Sequence, residues 1–183
     1  GVFACGDCTG PLLFTHFASL SGSTAAVNAL LPFAPRKADV SAFPRVTYTD
    51  PEVASVGLSE IEATNRGIPF ESTVHELAHL DRALAEDETE GFVKVLTKPG
   101  SDLILGATVM GPSAGETILE FALAMQNSLG LKAILATTHP YPTFVEANRL
   151  IAGKWAKAHA SPTGLALLRV WHRIRLGGFG RRS

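Results

Sequence analysis

A chain of 183 residues, 46% of them hydrophobic, is long enough to close one sizeable core with a smaller piece attached, and too apolar to be disordered. Its net charge of -1 excludes a broad basic face for neutralising nucleic-acid phosphates, the C-terminal tail apart. Two cysteines are too few for a disulfide scaffold, no charged and apolar leader opens the chain, and no apolar run reaches the roughly 18 to 20 residues that cross a bilayer, so a cytoplasmic setting follows by default.

Gly1-Val2-Phe3-Ala4 reads as an apolar strand running directly into Cys5-Gly6-Asp7-Cys8. With no lead-in before that strand, the chain is expected to begin inside a domain. After Gly10-Pro11, residues 14–31 are dense in Ala, Ser and Gly with apolar positions at helical spacing, which predicts a buried helix closely approached by backbone or ligand. Pro32 and Pro35 end it and open a linker over 33–44.

From Arg45 the texture is that of strands and turns. Val46–Thr49 and Val53–Gly57 read as extended around an Asp50-Pro51 turn. Ser59-Glu60-Ile61-Glu62 spells a capping box, so a short helix should run to Arg66 and stop at Gly67. Another strand is expected over Phe70–Glu76, then a polar stretch around His79–Arg82, then a hairpin of 91–97 and 103–110 about a longer loop. Ser113-Ala114-Gly115-Glu116 spells a second capping box for a long amphipathic helix to Leu129. A helical turn over 131–135 and a last core helix over 143–158 complete the pattern. Strands followed by helices predict an α+β domain, an antiparallel sheet with helices on one face, over 45–158.

Cys5-Gly6-Asp7-Cys8 admits three readings. Zinc wants four ligands, and the six histidines are scattered with no second cysteine pair, so no metal site is expected. A reactive dithiol fits the junction with a helix, but Asp7 between the sulfurs would raise a thiol pKa. The third reading centres on Gly6-Asp7 and makes the cysteines small fillers.

That strand, Gly-Asp turn and helix of small residues resembles the end of the FAD domain in the flavoprotein disulfide reductases. VTYTDPEVASVGLSEIEA (46–63), GFVKVLTKPGSDLILGATVMGPSAGETILEFALAM (91–125) and HPYPTFVEANRL (139–150) resemble, in order, pieces of the same family's interface domain. The resemblance covers residues 1 to about 157 and is nearest to mercuric-reductase-like and dihydrolipoamide-dehydrogenase-like members. It implies a C-terminal portion of a longer enzyme: residues 1–32 as the remnant of an FAD-binding domain, 33–44 as linker, 45–158 as a homodimerisation domain, and 159–183 as a tail outside the likeness. It further implies that Gly6, Asp7, His16, Phe17 and Ala18 make a partial FAD site, Asp7 accepting from the ribityl chain and the helix start facing the electron-rich edge of the flavin. NAD(P)H would be used only by the full-length enzyme, since neither G-x-G-x-x-G nor a C-x4-C lies in this chain.

The family's His-Pro-Thr-x-x-Glu motif, presented to the partner subunit's active site, aligns with Tyr141-Pro142-Thr143-Phe144-Val145-Glu146. Tyrosine is a poor general base at neutral pH but a usable donor to a thiolate, and mercuric reductases carry it there too. His139 shares a face with Tyr141 in an extended segment and is the substitute candidate. The resemblance also implies a cis Tyr141–Pro142 bond. The chain lacks the terminal cysteine pair of mercuric reductases, which puts mercury as substrate in doubt. The plain structural alternative makes Tyr141 a loop aromatic and Glu146 a helix-start residue. From another class comes a non-catalytic dimerisation or membrane-tethering module that kept the fold. The tail PTGLALLRVWHRIR (162–175) is basic and amphipathic; packing on its own domain is the favoured expectation, an anionic membrane surface the other.

Overall fold

Five antiparallel strands form one sheet in the order β1-β2-β5-β4-β3. They are β1 (Arg45–Thr47), β2 (Val53–Gly57), β3 (Glu71–Glu76), β4 (Phe92–Thr97) and β5 (Ile104–Met110). The structure, a computed structural model, describes residues 1–10 and 12–177. The β4–β5 hairpin is central, with Val93 opposite Val109 and Val95 opposite Ala107. Both pairs share one face with Ala54 and Val56 of β2, so that face is apolar throughout. Gly106 is dictated by close approach: a Cβ there would collide with the Leu58 carbonyl.

Helices α4 (Ala114–Gln126) and α6 (Glu146–Ala158) cover that face, with α5 (Leu131–Ala136) packed against them. Ile118 and Phe121 of α4, Leu131 of α5 and Ile151 of α6 are fully buried, each contributing about 1.5–3 kcal/mol of apolar burial. The fold is thus the expected α+β arrangement, with one addition on the other side. Helix α2 (Glu60–Asn65) has its Glu60 on Ser72 (2.9 Å) and on Lys94 (3.1 Å), residues that point away from the core. Its start is the capping box read from the sequence, Ser59 accepting from the Glu62 amide and Glu62 from the Ser59 amide.

The second box is not a box. Ser113 sits at φ 56 with no side-chain bond to the helix, and the Gly115 amide donates instead to Glu52 Oε2 at 3.1 Å. A carboxylate from the β1–β2 connection therefore meets the positive end of α4. Helix α4 stops at Gln126 rather than 129, and α6 starts at Glu146 rather than 143. The polar stretch near 79–82 contains a short helix, α3 (Asp81–Glu86), with Leu80 and Ala83 buried beneath it.

Residues 1–5 form no strand, and Val2 and Phe3 are exposed; an extended segment needs a neighbour for its backbone groups, and none of the described strands lies beside it. The predicted helix exists as α1 (Thr15–Leu30), but it is not buried: Ser21 alone reaches the interior. The linker holds α1 through Asn28, whose side chain both accepts from the Arg36 amide (2.7 Å) and donates to the Arg36 carbonyl (2.9 Å). The tail is helix α7 (Pro162–Gly177), and its expected packing on the domain does not occur, since none of its described side chains is buried. Residues 178–183 of the expected tail lie outside the described residues.

His159 closes α6 with Nδ1–H on the Trp155 carbonyl (2.9 Å) and Nε2 on Glu71 Oε2 (2.7 Å), joining the helix end to β3. The Trp155 carbonyl and the Glu71 carboxylate hold the imidazole above its ordinary range, while His159 and the Gly100 amide hold Glu71 below the ordinary carboxylate range. A raised histidine stabilises at low pH and loses that contribution as pH climbs through its folded value. A lowered glutamate stabilises at higher pH and loses its contribution as pH falls through its folded value. The pair therefore acts in the window between the two. Raising the pH from about 5.5 to 8.5 should lower the melting temperature of the wild type more than that of His159→Gln, as followed by circular dichroism.

Candidate functional site

The loop between α5 and α6 has little regular structure, so side chains must place it. His139 does most of this: its side chain is 3% exposed, Nδ1–H donates to the Thr137 carbonyl (2.9 Å), and Nε2 lies 3.0 Å from Glu120 Oε2 on α4. The same Glu120 oxygen accepts from Asn148 Nδ2 on α6 at 3.0 Å, and Asn148, fully buried, also donates to the Thr117 carbonyl at 2.9 Å. Two helices and the loop thus meet at one carboxylate oxygen. Both ring nitrogens of His139 are thus engaged inside the chain and the ring is shut from solvent, in contrast to the outward face expected of a substitute for Tyr141.

Two residues on, the Tyr141–Pro142 bond is cis, as the resemblance implies, and Thr143 Oγ1 donates to the Pro140 carbonyl at 2.8 Å. Tyr141 is 67% exposed, the opposite of His139. Its hydroxyl donates to Asp81 Oδ2 at 2.8 Å, in the first turn of α3. That hydrogen bond and the charge of Asp81 hold the phenol above the ordinary tyrosine range, with a smaller push from the Glu146 charge. The proton stays on the oxygen at neutral pH, so the group is a donor.

Glu146 stands at the first position of α6, where a carboxylate suits the helix dipole, and Arg149 Nη2 donates to its Oε1 at 3.0 Å. Glu146 does not bond Tyr141; Asp81 has that place. No local pattern links positions 81 and 141, and only the three-dimensional fold brings them together. Between α3, α4 and the loop lies an open cleft of about 430 Å³, lined by Arg82, Glu116, Thr143 and Phe144 among others. Arg82 lies 5.9 Å over the Phe144 ring and pairs with Glu86.

At the other end of the chain, residues Gly6–Thr9 make one 3-10 turn. Gly6 has φ 74, and a Cβ there would sit 3.3 Å from the Ala18 methyl, a cradle that a side chain would fill. The Gly6 amide donates to Ser21 Oγ at 2.9 Å, which pins the turn to α1. Asp7 is exposed on this turn, and Cys5 and Cys8 are exposed free thiols, the Cys8 thiol donating to the Cys5 carbonyl at 3.2 Å. Helix α1 has no side-chain cap and no acid in its first turn, so the amides of Thr15, His16 and Phe17 have no intrahelical partner.

The side chains of His16 and Phe17 turn the other way. His16 Nε2 donates to the Pro44 carbonyl (2.9 Å) and the ring stacks on Phe43 (4.5 Å), while Phe17 meets Phe43 edge-on (6.0 Å). The Ala18 amide is spent on the Phe14 carbonyl at 3.0 Å, so Ala18 packs beneath Gly6 and offers no donor to a ligand. An exposed carboxylate beside open helix amides fits a group carrying both a hydroxyl and an electron-rich edge.

Asp81→Asn should let the Tyr141 phenolate appear at lower pH, because the acceptor charge that holds the proton is gone. Ultraviolet titration in a Tyr48→Phe background, where Tyr141 is the only tyrosine, measures this directly.

Comparison with known proteins gives the chain a family. The domain described as "Pyridine nucleotide-disulphide oxidoreductase, dimerisation domain" matches residues 43–151. The chain is 36% identical over 157 residues to a mercuric reductase of Shewanella putrefaciens, covering 86% of this chain and 28% of that protein. It is 41% identical over 164 residues to a dihydrolipoyl dehydrogenase of Chlamydia muridarum, covering 88% and 35%. Among solved structures, LpdA from Mycobacterium tuberculosis superposes with a TM-score of 0.75 at 26% identity, over 83% of this chain and 33% of that one. The chain thus spans about a third of the length of the relatives it matches. With the matched domain covering more than half of the chain and enclosing the 141–146 loop, the protein belongs to the pyridine nucleotide-disulphide oxidoreductase family through its dimerisation domain.

Proposed function

We propose that this chain is the C-terminal part of an FAD-dependent, NAD(P)H-using disulfide or thiol oxidoreductase, in which it builds the homodimer and offers Tyr141 to the partner subunit's active site. The observation that carries this reading is the exposed Tyr141 phenol, held protonated by Asp81 and aimed outward from a loop that His139 locks in place. A phenol in that state is a hydrogen-bond donor to a thiolate or a bound thiol adduct, and its O–H would pass from the Asp81 carboxylate to sulfur. Glu146, paired with Arg149, fixes the start of α6 behind the loop.

At the N-terminal turn, Asp7 would accept from a ribityl hydroxyl of FAD, and the free amides of Thr15, His16 and Phe17 would face the electron-rich edge of the flavin. When bound, the flavin carries electrons between the nicotinamide and the disulfide. Residues 1–32 then belong to an FAD-binding domain. Helix α1, free of Asp, Glu, Lys and Arg and with only Ser21 buried, supports this, since further protein could cover it without burying a charge. The adenosine and nicotinamide sites are assigned to sequence outside this chain.

The apolar faces of helices 114–129 and 143–158 exceed what one small sheet covers and suggest a dimer surface, but of the two only α4 keeps an exposed apolar row. The apolar residues Ile151, Ala152 and Trp155 of α6 are spent inside the domain, whereas Leu119 and Leu123 of α4 are more than half exposed and one turn apart. A homodimer packed on the outer row of α4 should fall to monomer in Leu119→Asp/Leu123→Asp, read by light scattering. A wild-type chain that is already monomeric at high concentration would remove this part of the reading.

In the complete enzyme, Tyr141→Phe should slow the reaction of the reduced enzyme with its thiol-reactive substrate roughly 10- to 100-fold, the worth of one hydrogen bond to a charged group. Reduction by NAD(P)H should be nearly unchanged. Stopped-flow measurement of both half-reactions separates the two; equal rates in wild type and variant would leave Tyr141 a packing residue.

A further inference from the structure

Helix α7 has a well-made start and no cover. Ser161 Oγ accepts the Gly164 amide at 3.2 Å, the Ser161 carbonyl accepts the Leu165 amide at 3.0 Å, and Pro162 occupies the first helical position. Beyond that start the apolar side chains stand in solvent, Trp171 at 52% exposure and Ile174 at 70%. At 3.6 residues per turn, Leu167, Val170, Trp171 and Ile174 form one continuous stripe, with Arg169 and Arg173 on the far side. Arg175 flanks the stripe, its guanidinium 5.3 Å from the Trp171 ring centroid. An isolated helix of this length is marginal in water, so a surface that takes the stripe would also stabilise the helix.

The charge around α7 selects among surfaces. After Glu146 the sequence contains no Asp or Glu and eight Lys or Arg, although the whole chain nets -1. The excess of positive charge lies toward the C-terminal end of the sequence, and within α7 it has no acid to offset it. A nucleic acid would satisfy the arginines and leave the aliphatic stripe in water. A groove on another protein would take the stripe without a reason for so one-sided a charge. An anionic bilayer surface satisfies both, with the stripe at the acyl boundary, Trp171 at headgroup level and the arginines reaching lipid phosphates. Among the described residues no helix is long and apolar enough to cross a membrane, so the element lies along the surface and not through it. We infer that α7 docks this protein onto an anionic phospholipid surface, in the plane of the interface.

The test uses the full 183-residue chain with phosphatidylcholine vesicles and with vesicles in which about a third of the lipid is phosphatidylglycerol. Co-sedimentation should favour the anionic vesicles at least tenfold and should weaken as salt rises from about 0.1 to 0.5 M. Arg169→Gln/Arg173→Gln/Arg175→Gln should lower the partition about a hundredfold, from a factor of about five per arginine near such a surface. Val170→Asp/Ile174→Asp should lower it while keeping the arginines, which distinguishes docking from charge attraction alone. Trp171 emission should shift to the blue and be quenched by brominated acyl chains, an effect absent in Trp171→Phe because Trp155 is buried. Equal binding to both vesicle types, wild-type binding by the arginine variant, or Trp171 already shielded from aqueous quenchers without lipid would each overturn the inference. So would duplex DNA that binds the chain and displaces it from the vesicles.

Discussion

A single carboxylate oxygen, Glu120 Oε2, holds the loop on which the rest of the site depends. It takes a nitrogen of His139 and the amide of Asn148, and so ties the 137–145 segment to α4 and α6 at once. Hydrogen bonds to a charged group are worth about 1.5–3 kcal/mol each, and leaving either partner buried without Glu120 would cost a comparable amount. The segment has few backbone bonds of its own, so this side-chain network is what fixes it. Tyr141 inherits its position from a neighbour two residues back whose ring is bonded at both nitrogens within the chain.

The order of strands and helices was legible because it rests on local signals: the alternation in 91–97 and 103–110, the Ser59 box, the periodicity of α4. The two boxes show where local signals stop. Ser59 and Ser113 open the same Ser-x-x-Glu spelling, yet only Ser59 caps its helix. Ser113 follows Gly111-Pro112 into a left-handed conformation and caps nothing, and it is the Gly115 amide that finds a carboxylate, Glu52, sixty-three residues before it in the chain. Asp81 on Tyr141 is the same kind of non-local fact. It escaped the sequence reading because α3 is short and its composition reads as polar loop. His139 shows the reverse: an extended segment would give it the face of Tyr141, but its ring lies buried against Glu120 of α4.

The N-terminal site was legible only as a pattern of main-chain opportunity. Gly6, Asp7 and the small residues of α1 indicate a turn and an approachable helix start, and the turn forms as expected with Ser21 as its anchor. What the pattern could not reveal is that the rings of His16 and Phe17 would turn to Phe43. That contact, together with the Asn28 clip on Arg36, seats α1 against the dimerisation domain while leaving its first amides open.

Both ends of the chain carry helices whose apolar atoms are unspent, and their charges assign them different surroundings. Helix α1 has no Asp, Glu, Lys or Arg at all. Cover by protein on several sides costs it no desolvated charge, which suits the interior of a larger domain. Helix α7 has three arginines and no acid, and burying it in a protein interior would strand those charges unless acidic partners met each one. Its length and stripe alone would permit either environment. The unpaired positive charge makes a protein core expensive and an anionic, half-aqueous interface favourable. That difference in desolvation cost, rather than hydrophobicity, separates the surroundings that α1 and α7 can each accept.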